Sequence, residues 1–153
     1  KLTVSMENTI AEIELIYKPK KLQTNRQKIT SSDDAYSVLL ETWDKNTIEL
    51  FEEFKVVLLN NSNEILGICT LSNGGMTATL VDLRLLFSIA LKSCASAIIT
   101  AHNHPSGKLK PSESDISIYR RIKEVAEFHD IKYLDNLIVT TSGNYSFSDE
   151  NVC

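Results

Sequence analysis

Apolar and polar residues alternate from Thr9 to Tyr17, with Ile10, Ile13, Leu15 and Tyr17 on the apolar steps, and this predicts a first strand that Pro19 stops. The period then changes. Ala35, Val38, Leu39 and Trp43 fall on one face at helical spacing, and Ser31 or Ser32 ahead of Asp33 and Asp34 makes a helix start, so a helix is predicted to about Asp44. Lys45 to Leu50 is a connection with some helical character. Glu52 to Leu59 reads as a strand, Asn60 to Asn63 as a turn, and Ile65 to Leu71 as the partner strand. Ser72-Asn73-Gly74-Gly75 is a loop, and Thr77 to Val81 is a short β-prone run. Asp82 caps a helix to about Ser93, with Leu83, Leu86, Phe87, Ala90, Leu91 and Cys94 on its buried stripe. Ala95 to Ala101 is small and apolar throughout, as a central strand covered on both faces requires. A helix from Glu113 to about Phe128 buries Ile116, Tyr119, Ile122, Val125 and Ala126. Ile131 to Leu134, Asn136 to Thr141, a Ser142-Gly143-Asn144 turn and Tyr145 to Ser148 close the chain as a hairpin. Strands interleaved with helices indicate an α/β class.

At 153 residues the chain has room for one hydrophobic core, and 42% apolar with 24% charged residues is an ordinary globular balance. A net charge of −4 counts against a domain-wide attraction to nucleic acid. Lys18, Lys20, Lys21, Arg26 and Lys28 form an acid-free run, read as a solvated connection. No apolar run is long enough for a membrane span and no secretory pattern opens the sequence, so no membrane partner is expected. Cys69, Cys94 and Cys153 are odd in number and lack a Cys-x-x-Cys pair, which argues against a disulfide framework or a cysteine zinc site. Cys69 and Cys94 lie in apolar periodic stretches and are expected as small buried hydrophobes in a reducing cytoplasm.

The chemistry concentrates in one stretch. His102-Asn103-His104-Pro105-Ser106-Gly107 ends the central strand, Lys108-Leu109-Lys110-Pro111 makes a loop, and Ser112-Glu113-Ser114-Asp115 opens the next helix. Two histidines one residue apart on a strand share a face, with Asn103 pointing away, and an aspartate on the first turn of the following helix can converge on the same ion. Imidazole and carboxylate suit Zn²⁺, and three protein ligands leave one position for water. Ser112-x-x-Asp115 is equally a helix start, a capping box with Asp in place of Glu, and both roles can hold together. His129, at a helix end, is a poor ligand candidate. Glu52 shares a strand face with Phe54 and Val56, whereas Glu53 shares the other with Lys55. A catalytic carboxylate and a strand end running into solvent explain Glu52 equally well.

His-x-His, seven residues, Ser, two residues, Asp resembles the metal motif of the JAMM (JAB1/MPN) metallohydrolases. The longer run from His102 through Pro111-Ser112 to Asp115 resembles the RadC branch, historically labelled DNA repair proteins. The resemblance extends from about Lys28 to Val152. It implies a JAB1/MPN fold, similar to cytidine deaminases, with a mixed β-sheet flanked by helices on both sides. Residues 1–30 would be an N-terminal strand and basic connection, and residues 31–153 the RadC-like MPN domain. Longer RadC proteins carry a helix-hairpin-helix segment ahead of this domain; the chain has no room for it and is expected as the stand-alone form. The resemblance further implies Zn²⁺ held by His102, His104 and Asp115. Glu52, from its place in Glu52-x-Phe54, becomes the proton shuttle, with Glu53 the fallback one register away. Ser112 becomes the hydroxyl donor to the oxyanion. The implied reaction is hydrolysis of a peptide or isopeptide bond in an unidentified peptide or protein substrate. Zinc deaminases are excluded because no Pro-Cys-x-x-Cys pair is present. Asp135-Asn136-Leu137 departs from the usual Asp-His-Leu, and Asn136 cannot transfer a proton. Two other readings are a catalytically inert binding or scaffold module and a DNA-associated accessory protein.

Overall fold

A buried strand with helices on both sides organises the molecule. The computed structural model describes residues 25–74 and 81–152. The strand expected at residues 9–17, the basic run before Asn25 and most of the β-prone run at 77–81 lie outside those residues. The elements in order are α1 (Ser32–Thr42), β1 (Glu53–Leu59), β2 (Ile65–Asn73), α2 (Leu83–Lys92), β3 (Ala97–Asn103), α3 (Glu113–Phe128), β4 (Lys132–Thr140) and β5 (Gly143–Ser146). The strands form one sheet in the order β2-β1-β3-β4-β5. β1 is antiparallel to β2 and β3, β3 is parallel to β4, and β4 is antiparallel to β5, so the sheet is mixed.

All seven residues of β3 are buried. Ala97, Ile99 and Ala101 join Val57, Leu59, Leu137 and Val139 against Ala35, Val38 and Leu39 of α1. On the opposite face, Ile98 joins Phe54, Val56 and Leu58 against Leu86, Phe87 and Ala90 of α2 and Ile122 and Ala126 of α3. The α/β class with helices on both sides of a mixed sheet is therefore what the chain adopts. The topology also sets the position of the chemistry. A parallel crossover must begin where its first strand ends, so α3 starts beside the C-terminal end of β3. Antiparallel pairing brings the N-terminal end of β1 to that same edge.

Ser31 caps α1, accepting from the Asp34 N–H at 3.2 Å, and Asp82 caps α2 as expected. The helical stripe of α2 is shorter than its spacing suggested. Leu91 is exposed, and so is Cys94, correcting the expectation that both are buried; Cys69 is only half-buried. The physical reason is the helix end. The Cys94 N–H donates to Leu91 O at 3.0 Å and the Ala95 N–H to Ala90 O at 3.0 Å, with Cys94 at φ 54°. This is a Schellman stop, which turns the chain outward at the residue in the left-handed conformation. The two short strands expected at 131–134 and 136–141 are one strand, β4. Ile98 pairs with Tyr133 and Ile99 with Asp135, so Leu134 is bulged out at the point where the alternation breaks. Phe147, after β5, is fully buried against Tyr119 and Ile138.

Candidate metal centre

His102 is 2% exposed, and its ring lies parallel to that of Phe54 on β1, with centroids 6.1 Å apart and planes within 9°. The β1–β3 register sets these two residues opposite one another. The His104 N–H still bonds the Val139 carbonyl of β4 at 3.2 Å, so extended pairing continues past the end of β3 and both imidazoles face the same side. The chain then turns back, with the Gly107 N–H donating to the His104 carbonyl at 2.9 Å and Gly107 at φ 73°, a conformation glycine adopts without a Cβ penalty. That turn carries the Lys108 carbonyl to His104 Nδ1, 2.7 Å away. A carbonyl only accepts, so Nδ1 carries a proton and Nε2 is the nitrogen that faces the cluster.

The third group arrives with α3. Ser112 is its N-cap, and the capping box is complete. Asp115 Oδ2 accepts from the Ser112 N–H at 2.6 Å and from the Ser112 hydroxyl at 2.7 Å, while the Asp115 N–H donates to Ser112 Oγ at 3.2 Å. Held in this way, the carboxylate sets Oδ1 3.3 Å from His102 Nε2 and Oδ2 3.5 Å from His104 Nε2; the two Nε2 atoms are 3.0 Å apart. Ligands on a tetrahedral zinc at about 2.0–2.1 Å stand about 3.3–3.4 Å from each other. Each imidazole has one carboxylate oxygen near that spacing, one ligand atom from each of the three residues lies within 4.8 Å of the others, and the donor set of two imidazoles and a carboxylate is one that zinc accepts. Among the described residues this is the group of histidine and acidic side chains close enough to share an ion.

The electrostatics point the same way. The Asp115 hydrogen bond holds the His104 imidazole above its usual range against the opposing effect of burial, and the Lys108 carbonyl and the charges of Asp115 and Glu52 add to it. Burial raises the Asp115 carboxyl, but the bonds from His102 and His104 outweigh it and leave the group far below the usual carboxylate range. The cluster favours positive charge at its centre. His102 Nδ1 is buried with no hydrogen-bond partner among the described residues.

Glu52 lies just before β1, half-buried, its carbonyl accepting from the Gly74 N–H at 2.7 Å. The β1–β3 ladder begins with the Phe54–His102 pair, two residues after Glu52, and the charge of Glu52 is felt at His104. Glu53 is turned to the α1 side, where it pairs with Lys55 at 3.2 Å. Lys55 is itself buried, donates to the Thr42 carbonyl at 3.1 Å and lies 4.7 Å over the Trp43 ring. Asn136 is buried on the His102 face, paired with Thr100 two residues before His102, and its Oδ1 accepts from Thr100 Oγ1 at 2.8 Å. Thr100 Oγ1 also bonds the Tyr133 hydroxyl, whose pKa burial pushes well up. His129 caps the far end of α3 against Phe87 and Phe128, away from the cluster.

One residue the sequence reading treated only as pointing away makes four hydrogen bonds through its side chain. Asn103 is 0% exposed. Its Oδ1 accepts from Glu53 N–H at 2.7 Å and Trp43 Nε1–H at 3.2 Å. Its Nδ2 donates to Ile48 O at 2.6 Å and Phe51 O at 2.7 Å. The available signal was a single amide at the end of an otherwise apolar buried strand, which has to find partners.

Comparison with known proteins gives a consistent result. A family model described as "RadC-like JAB domain" matches residues 29–152. The chain is 44% identical over 126 residues to a "UPF0758 protein" of Flavobacterium johnsoniae, covering 82% of this chain and 54% of that protein. It is 39% identical over 141 residues to a "UPF0758 protein" of Porphyromonas gingivalis, covering 88% and 58% respectively. A "UPF0758 protein" of Salinibacter ruber is 37% identical over 133 residues, covering 85% and 54%. The chain thus spans about half the length of the curated relatives it matches.

Proposed function

The chain belongs to the RadC-like JAB domain family, and from that premise together with the His102–His104–Asp115 triangle we propose that it is a zinc-dependent hydrolase of peptide or isopeptide bonds. The observation that carries the reading is the convergence of two imidazole Nε2 atoms, 3.0 Å apart, with a carboxylate whose Oδ1 stands 3.3 Å from one and Oδ2 3.5 Å from the other, on two elements whose positions the capping box and the sheet fix independently. Bound there, a zinc ion supplies Lewis acidity, acidifying water and polarising a carbonyl.

The chain's own groups do the rest. His104 is held in one tautomer by the Lys108 carbonyl. Asp115 is held in one rotamer by Ser112. Glu52, whose charge is felt at His104, takes the proton of the attacking water and returns it to the leaving amine, as its place at the edge of the cluster allows. Ser112 has a hydroxyl one helical turn from Asp115. It serves a developing oxyanion by turning its proton from Asp115 Oδ2 to the substrate, while its backbone N–H keeps the cap. Asn136 offers an amide where a proton carrier would need an imidazole, so proton transfer rests on Glu52.

Metal analysis of the purified protein together with Glu52→Gln tests this reading. The expected result is about one zinc per chain in both forms, with turnover of a peptide substrate falling by about 10²–10⁴ in the variant. Zinc at background level in the wild-type chain, or full turnover by Glu52→Gln, overturns it.

A further inference from the structure

We propose that Asn103 is the positioning residue of this centre, fixing Glu52 against the two imidazoles by gripping both peptide units that flank it. The inference rests on the reading of Glu52 as the proton carrier. Phe51 O and Glu53 N–H are the groups on either side of Glu52, and both are bonded to the one amide of Asn103, at 2.7 and 2.7 Å. The remaining bonds of that amide, to Ile48 O and Trp43 Nε1, tie it to the turn before Glu52 and to the end of α1. All four contacts are made by a side chain with no solvent exposure, so water cannot replace any of them without opening the sheet edge.

The geometry explains why this residue stands between the ligands. Successive side chains on a strand alternate in direction. His102 and His104 reach the ion side, so the residue between them necessarily reaches the α1 side, under the 48–53 segment. Its backbone is continuous with both ligands. Any shift of the imidazole pair is therefore shared with the Glu52 backbone, and the carboxylate keeps its register with them. The Gly74 N–H bond to Glu52 O holds the same segment from the end of β2.

Two measurements test the role in the whole chain, using Asn103→Ser with Trp43→Phe as the control that removes only the distal donor. The first is amide hydrogen exchange without added metal. In Asn103→Ser the Glu53 N–H is expected to exchange about tenfold faster or more, while the amides of β3 and α3 keep their protection. Trp43→Phe is expected to leave Glu53 unchanged. The second is the set of pseudocontact shifts induced by Co²⁺, the probe ion. Those at Glu52 and Glu53 are expected to collapse toward an average in Asn103→Ser, while those at His102 and Ile116 stay. Unchanged exchange at Glu53, or equal loss of protection across β3, overturns the positioning role. Failure of Co²⁺ to bind the wild-type chain overturns the metal reading instead, and the exchange measurement still decides whether Asn103 holds the Glu52 segment. Should Asn103→Ser not fold, Asn103→Asp keeps the acceptor for Glu53 N–H and removes the donors. Protection is then expected to persist at Glu53 and to fall at Phe51 and its neighbours in the 48–51 turn; uniform protection overturns the proposal.

Discussion

Asp115 serves two purposes with one carboxylate. Oδ2 completes the capping box with Ser112 while the same group faces both imidazoles. The two purposes are separable by mutation. Ser112→Ala is expected to lower stability by about 1 kcal/mol in urea titration and to leave zinc affinity largely intact. Asp115→Ala should lower that affinity by about 100-fold or more, read by competition with a chromophoric chelator. Loss of affinity in both variants alike would mean the cap, not the ligand, governs the centre. Asp135 gives a second prediction at this scale. Burial raises its carboxyl above the unfolded value of 3.8 and prevails over bonds from Ser146, Ser148 and Asn136. The native state then holds this proton more tightly than the unfolded state, so ionising it costs stability. That cost appears as pH rises past 3.8 and is complete above the folded value. Asp135→Asn should flatten this part of the stability profile; a wild-type slope retained in the variant would falsify the assignment. The convergence of His102, His104 and Asp115 was legible because spacing and strand parity constrain them. Asn103 was not, because its partners Trp43, Ile48, Phe51 and Glu53 are about fifty residues or more away in sequence and no periodicity links them.

The helices and strands were legible wherever the pattern of apolar positions ran unbroken. α3 has the bounds that its caps and spacing predicted, Glu113 to Phe128. The misses occur where a backbone device interrupts the pattern. A Schellman stop ends α2 before Cys94, and a bulge joins two apparent strands into β4. α3 ends in the same way as α2. The Asp130 N–H donates to Glu127 O at 3.1 Å, the Ile131 N–H to Ala126 O at 2.9 Å, and Asp130 sits at φ 54°. Left-handed backbone is unfavourable for a residue with a Cβ and costs glycine nothing. Asp130→Gly should therefore raise the urea midpoint, by about 0.5–1 kcal/mol in stability, with zinc affinity unchanged. A lower midpoint would show that the aspartate side chain supplies a contact worth more than the relieved strain.

At the scale of the molecule, the class of fold followed from strands alternating with helices, but the sheet order did not. Periodicity shows that Ala97–Asn103 is buried on both faces, not which strands lie beside it. Only the pairing of β1 with β3 reveals that Glu52 and the histidines share an edge. No helix among the described residues is long and apolar enough to cross a membrane. On the proposed reading an ion shared between β3 and α3 would link two elements that otherwise meet through their core face, with a global consequence. Zinc at about 100 times its dissociation constant should raise the thermal midpoint by roughly 5–10 °C, reversed by a chelator and absent in His102→Ala. A midpoint unmoved by zinc would place any bound ion elsewhere.

The four bonds made by the residue between the ligands also set a rule for transplanting this centre. A designer who copies two imidazoles and a carboxylate onto a foreign sheet would obtain an ion trap with no anchored base. On the proposed reading, the smallest portable unit includes the amide, the indole at the end of the first helix and the 48–53 turn, because these hold the backbone on either side of the acid in register with the imidazoles.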